Sequence, residues 1–295
     1  MTAAGARSRS RAVLVTGASS GTGLSSGSGC AAALRLHRAG WPVYATGRDV
    51  AALASLAAEG IRTMYLDVTD EESMVAAVKQ ITEDHGAVGT LVNNAAHSLN
   101  GTIGETPMAQ VRAQFETNVF GLARMCQLVL PAMRARRAGR IVNVSSMGAN
   151  FTFPGGGLYH ATKYAVEAIS DALRFEVAGF GIHVVIVQPG LIRTGFADAA
   201  TDEIRSSTPA EGPYASFNAA VAGSTKSVYE RGPLARLGGG PETVARTIER
   251  AITAKSPKIR YRVTPSARLL VGQRALMTDG MWDRMLASQF PRPGD

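Results

Sequence analysis

Cysteine is nearly missing from this chain of 295 residues: Cys30 and Cys126 are the only two. Two thiols cannot build a disulfide framework, so both read as packing residues of a protein in a reducing, cytoplasmic setting. Long apolar runs are missing too. None approaches the ~20 residues that cross a bilayer, so no integral membrane segment is expected. The N-terminal MTAAGARSRSRAVLV is basic but lacks the apolar core of a secretion signal, and residues 1–11 read as a flexible basic tail. No His, Cys and Asp grouping has metal-ligand spacing, so no metal is expected.

Negative charge is in short supply. Lysine and arginine number 31 against 23 acidic residues, a formal balance of +8. Such an excess raises the question of nucleic acid. The arginines are spread along the chain, however, and no interleaving of basic and aromatic residues offers a base-stacking platform. A solvated face and attraction for a phosphorylated cofactor are the expectation, with no nucleic-acid partner.

What is present is a regular alternation. RAVLVTG, PVYAT, IRTMYLD, GTLVNNA, RIVNVSS and IHVVIVQPG read as strands, and the segments between them as helices. Wholly apolar strands such as VVIV suit burial on both faces of a parallel sheet. The expectation is an α/β fold: a single doubly wound Rossmann-type domain over 12–295 with a parallel sheet. One long helix is expected over about 108–137. Residues 196–240 are rich in Ala, Ser, Gly and Pro with weak periodicity and read as a substrate lid. Residues 241–295 read as C-terminal helices with a last strand, KIRYRVT.

The first strand runs into SSGTGLSSGSG (Ser19–Gly29), in which a six-residue glycine turn is written twice. Strand, glycine-rich turn and helix form the setting of a dinucleotide site. Glycine permits close backbone approach, and the helix N-terminus offers unpaired N–H groups to a diphosphate. Gly17, Ser19, Gly21, Gly27 and Gly29 are the candidates in this turn. Starting the helix at the first copy would add six residues, about 9 Å. It would also place Gly27 and Gly29 inside the helix at about 1 kcal/mol each. The helix is therefore expected near Ser28, with Ser20–Ser25 an extra loop beside the pyrophosphate. The alternative keeps TGASSGTG on the cofactor and bulges the second copy outward.

The second strand ends in Ala45-Thr46-Gly47-Arg48, with no carboxylate before Asp49. An acidic residue there would favour a free ribose 2′-hydroxyl, whereas arginine favours a 2′-phosphate. NADP(H) is expected over NAD(H). Further on, YHATK sets Tyr159 and Lys163 four apart, on one helix face. A phenol is ordinarily too weak an acid to serve as a base near neutrality, and a neighbouring ammonium would lower its pKa.

TGASSGTG, LDV, NNAA, Asn118, the serine of NVSS, YHATK and QPGLIRT together resemble the short-chain dehydrogenase/reductase family, over about Ala12–Phe196. ERAITAKSPKIRYRVTPSARLL resembles, less specifically, the branch of 17β-hydroxysteroid and retinol dehydrogenases. The resemblance implies Tyr159 as general acid or base and Lys163 as ribose ligand and tuner of the phenol. It implies Ser146 polarising the carbonyl, Asn118 anchoring a water in a proton relay, and Ser145 in a structural role. Asp67 and Val68 would meet adenine and Asn93 the adenosine ribose. Pro189, Gly190, Ile192 and Thr194 would line the nicotinamide side. Ala96 stands where the family usually has glycine.

The reading that results is an NADP(H)-dependent oxidoreductase interconverting an alcohol and a ketone or aldehyde. The substrate is bulky and apolar, steroid-, retinoid- or polyketide-like, and Phe196, Tyr214, Phe217 and Val221 contribute to an apolar lid. The alternatives are a β-ketoacyl or polyketide ketoreductase and a non-catalytic NADP-binding sensor. A homodimer or homotetramer is what the resemblance implies.

Overall fold

A computed structural model of the protein describes residues 10–19, 27–193, 211–230 and 233–293. The apolar runs form β1 (Val13–Val15), β2 (Val43–Gly47), β3 (Arg62–Tyr65), β4 (Thr90–Asn93), β5 (Gly139–Val144), β6 (Ile182–Gln188) and β7 (Arg260–Arg262). They make one sheet in the order β3-β2-β1-β4-β5-β6-β7, every neighbouring pair parallel. Strand order reverses between β1 and β4. The crevice beyond the strands' carboxyl ends at such a reversal is where open α/β sheets bind ligands.

Helices cover both faces. They are α1 (Ser28–Arg38), α2 (Ala54–Ala58), α3 (Glu71–His85), α4 (Met108–Phe115), α5 (Leu122–Arg136) and α6 (Gly157–Ala178). Then come α7 (Ala215–Glu230), α8 (Pro241–Thr253), α9 (Pro265–Leu276) and α10 (Asp279–Ala287). Alternate side chains of a strand point to opposite faces, and β1 shows the result. Val13 and Val15 join a core with Ala32, Leu36, Val244 and Ile248 of α1 and α8. Leu14 joins a second core with Met125, Val129 and Val166 of α5 and α6. Both cores demand apolar residues, which is why the strands lack a polar face.

The single helix expected over 108–137 is interrupted: a π-helical turn, Glu116–Gly121, separates α4 from α5. The segment 196–240 also differs from its reading as aperiodic, since α7 occupies Ala215–Glu230. Its portion 196–210, with Phe196, lies outside the described residues, as does most of the basic tail. Among the described residues, no helix is long and apolar enough to cross a membrane.

Candidate active site

The glycine-rich turn resolves into a fixed start and a fixed end. Gly17 follows β1 with φ +65°, and a methyl group there would meet the main chain of Ala95. Helix α1 begins at Ser28, behind Gly27 at φ 87°, with no side chain capping its first amides. Gly29 packs so closely on the Gly17 carbonyl and the Asn94 amide that a Cβ would lie 2.5 and 2.6 Å from them. The second copy of the repeat therefore opens the helix. Residues 20–26, Gly21 included, lie outside the described residues, and with them the expected extra loop over Ser20–Ser25.

Asn94, which the sequence reading did not single out, ties this turn to β4. Its Nδ2 donates to the Thr16 and Gly17 carbonyls at 3.1 and 2.9 Å, while Thr16 Oγ1 accepts from the Asn94 and Ala95 amides. Asn93 is directed elsewhere. Its Nδ2 donates to Asn143 Oδ1 at 2.9 Å within the buried interior, and its buried Oδ1 has no partner among the described residues. Asp67 Oδ1 accepts from the amide and hydroxyl of Thr69, and Val68 is buried. Arg48 is exposed beyond β2, and the carboxylate of Asp49 accepts from the amides of Ala51 and Ala52. The one acidic group near the strand's end is thus engaged locally, as a helix cap.

Ser146, Tyr159 and Lys163 converge on one cavity of about 320 Å³. Ser146 follows β5 and accepts from the Gly148 amide at 3.1 Å. The ammonium of Lys163 donates to the Val144 carbonyl at 3.0 Å and lies 5.8 Å from the Tyr159 ring centroid. Burial pushes the Tyr159 phenol up to about 12, against a lowering hydrogen bond from Ser146. Burial pushes Lys163 down to about 8, opposed by the charge of Glu167. Burial is the larger influence on both groups. Asn118, in the π-helical turn, spends its side chain on structure. It brackets the main chain of His97 at 3.0 and 2.8 Å and donates to Thr162 Oγ1 at 3.1 Å. It positions the chain between β4 and α4 against α6.

The cavity lining joins two groups of residues. Ser28 at the start of α1, Asn94 and Ala96 after β4, and Pro189, Gly190 and Ile192 after β6 form one, and apolar Phe151, Val221, Val228, Leu270 and Phe290 the other. Ser19 stands close to Gly47, where a Cβ would lie 3.1 Å from it, and Thr194 lies outside the described residues. Within the expected lid, Phe217 and Val221 pack with Phe290, and Tyr214 approaches Gly104. The sequence reading missed the part played by the C-terminus. Leu270 and Gln273 of α9, Met285 of α10, Gln289 and Phe290 all line the cavity. Gly190 fastens this region to the rest. A Cβ there would collide with the Thr264 hydroxyl and lie 2.7 Å from that of Ser266, at the start of α9.

A dinucleotide suits the lining at Ser28 and Asn94. The amides of α1 stand uncapped beside cavity-lining Ser28, a natural seat for a diphosphate. Ser145 also lines the cavity, and its buried hydroxyl has no partner among the described residues. Among the described residues no group of three His, Cys, Asp or Glu is arranged to hold a metal ion.

Comparison with known proteins agrees with this architecture. The short chain dehydrogenase family model matches residues 11–205. The chain is 34% identical to a 3-ketodihydrosphingosine reductase of Bacteroides thetaiotaomicron over 270 residues, covering 91% of this chain and 94% of that one. It is likewise 34% identical to the uncharacterized oxidoreductase YbbO of Escherichia coli, covering 94% of each. A short-chain dehydrogenase from Streptomyces avermitilis superposes with a TM-score of 0.74 at 32% identity over 95% of both chains. The closed form of a serine dehydrogenase complexed with NADP+ superposes at 0.72 and 25% identity, over 86% of this chain and 94% of that one. These relatives speak for the family and do not single out the 17β-hydroxysteroid and retinol branch. The sheet order, the convergent serine, tyrosine and lysine, and these likenesses lead to one conclusion: the chain belongs to the short-chain dehydrogenase/reductase family of oxidoreductases.

Proposed function

We propose that the protein reduces a ketone carried on a long apolar molecule, using NADP(H). The observation that carries this reading is the meeting of Ser146, Tyr159 and Lys163 in one cavity with Ser28 and Asn94 beside the glycine turn and with apolar Phe151, Val221, Val228, Leu270 and Phe290. The nicotinamide supplies hydride when bound. Ser146 is in position to hydrogen-bond the carbonyl oxygen. With its pKa raised, Tyr159 is a neutral phenol at physiological pH, ready to donate a proton to the oxygen as negative charge builds there. The Lys163 ammonium stabilises the phenolate left behind, and its tie to Val144 holds it in reach.

Protonated phenol is the acid form, the form that reduction uses. A relative named for the reduction of a ketone supports the same direction. NADP(H) preference rests on Arg48 standing where a 2′-phosphate partner is wanted, on the capping role of Asp49, and on an NADP-bound neighbour. Residues 211–230 and the C-terminal helices together form the proposed substrate enclosure. The test is NADPH consumption over 3-ketones of increasing chain length. Turnover that improves with length and vanishes in Tyr159→Phe supports the proposal. Tight NADPH binding without turnover of any ketone would overturn it in favour of a sensing role.

A further inference from the structure

The two helices at the mouth of the cavity carry more exposed apolar surface than their packing requires. On α9, Leu269 is 50% exposed and Leu276 is 86% exposed. At about 100° per residue, Leu269, Gln273 and Leu276 fall within one narrow stripe, and Gln273 lines the cavity. On α10, Met281 is 43% exposed and lies one turn before Met285, which also lines the cavity. Gln273 Nε2 contacts Met285 Sδ at 3.6 Å, so the two stripes meet at the mouth.

The same two helices and the residues after them carry Arg268, Arg274, Arg284 and Arg292 against Asp279 and Asp283. Arg260 is paired with Glu167 and Asp171, and Arg274 with Asp279. Arg262, Arg268, Arg284 and Arg292 are exposed and form no ion pair with the described residues. Exposed apolar side chains flanked by arginines that pair with no described residue, here Arg268 and Arg284, are the pattern of a surface that settles on anionic lipid.

We propose that α9 and α10 dock the cavity mouth on an anionic membrane surface, from which the apolar substrate enters without crossing water. The entering substrate rests on the function proposed above; the docking itself requires no turnover.

Flotation with phosphatidylcholine vesicles, with and without phosphatidylglycerol, tests the proposal on the full-length protein. Wild type is expected to float with the anionic vesicles, at least tenfold less with the neutral ones, and less at high salt. The double variant Leu269→Ser, Leu276→Ser should lose flotation at least tenfold while keeping its thermal midpoint and its turnover of a short, soluble ketone. Phe175→Ser, which removes an 88% exposed aromatic on α6, serves as the control and should float like wild type. Equal flotation of the double variant and wild type overturns the proposal, as does no flotation at all. So does a drop in oligomeric state of the double variant on size exclusion, which would make the stripe a contact between copies. A wild-type protein that floats but turns over no ketone would sink the proposed function and leave the docking standing.

Discussion

Glu167 Oε2 lies 2.8 Å from Arg260 Nε, joining α6 to the last strand one helical turn beyond Lys163. Gln188 Nε2 donates to the other carboxylate oxygen at 3.0 Å. This held carboxylate is the group whose charge keeps the buried ammonium from losing its proton more readily. Glu167→Gln should therefore lower the Lys163 pKa further. The alkaline limb of the kcat/KM profile should move to lower pH, with a several-fold loss near pH 8. An unmoved profile would mean the carboxylate only fastens β7 to α6.

The same lysine makes stability depend on pH. Its folded pKa, about 8, is below its unfolded value of about 10.5. Between those values the unfolded chain binds the extra proton, so stability from this group rises with pH across that window. Lys163→Met removes the term. In urea titrations the variant should be more stable than wild type at pH 7.5, by up to roughly 3 kcal/mol, and the gap should narrow by pH 9.5. A gap independent of pH would contradict the buried-charge account.

Tyr159→Phe should leave NADPH affinity, read by fluorescence titration, within about twofold and cut turnover by roughly 10²–10⁴, the usual worth of a positioned acid. A residual rate above a tenth of wild type would move the proton donor elsewhere.

The sheet was legible in the sequence because its strands are apolar on both faces and the helices between them are amphipathic. The start of α1 was legible for a related reason: glycines at 27 and 29 suit a helix entrance and not a helix interior. The π-helical turn at Glu116–Gly121 was not legible. It adds one residue to a turn, and the apolar positions Val111, Phe115, Leu122 and Met125 accommodate that without breaking pattern. The inward amide of Asn93 was hidden as well. Neighbouring Asn93 and Asn94 look alike in sequence, and only the pleat decides which reaches Asn143 and which reaches the glycine turn. The rise in the Tyr159 pKa depended on depth of burial, which no spacing reports.

Substitutions at the doubled turn read out its register. Gly27→Ala forces a side chain into positive φ and should cost about 1–2 kcal/mol. Gly29→Val should do more, because the Gly17 carbonyl and Asn94 occupy the space. Cofactor affinity, measured by calorimetry, should fall with Gly29→Val and respond less to Gly23→Val. The reverse order would place the first copy on the diphosphate.

Trp282 of α10 stacks on Phe151 and Phe153, with ring centroids 5.7 and 5.6 Å away, and its indole donates to the Thr152 carbonyl at 3.3 Å. Trp282→Ala should cost about 3–5 kcal/mol. In the fraction that stays folded, KM for a long-chain ketone should rise more than KM for a short one. Equal effects on both would detach α10 from substrate selection.

Gly190 is a mechanical joint between α9 and the segment that follows β6. Because the start of α9 sits where any larger residue would put its side chain, the proposed shelf for the nicotinamide and the proposed doorway for substrate pack directly on one another. A chain that evolves a wider doorway by shifting α9 must reseat its cofactor at the same time. Substrate range and coenzyme grip are thus inherited as a pair.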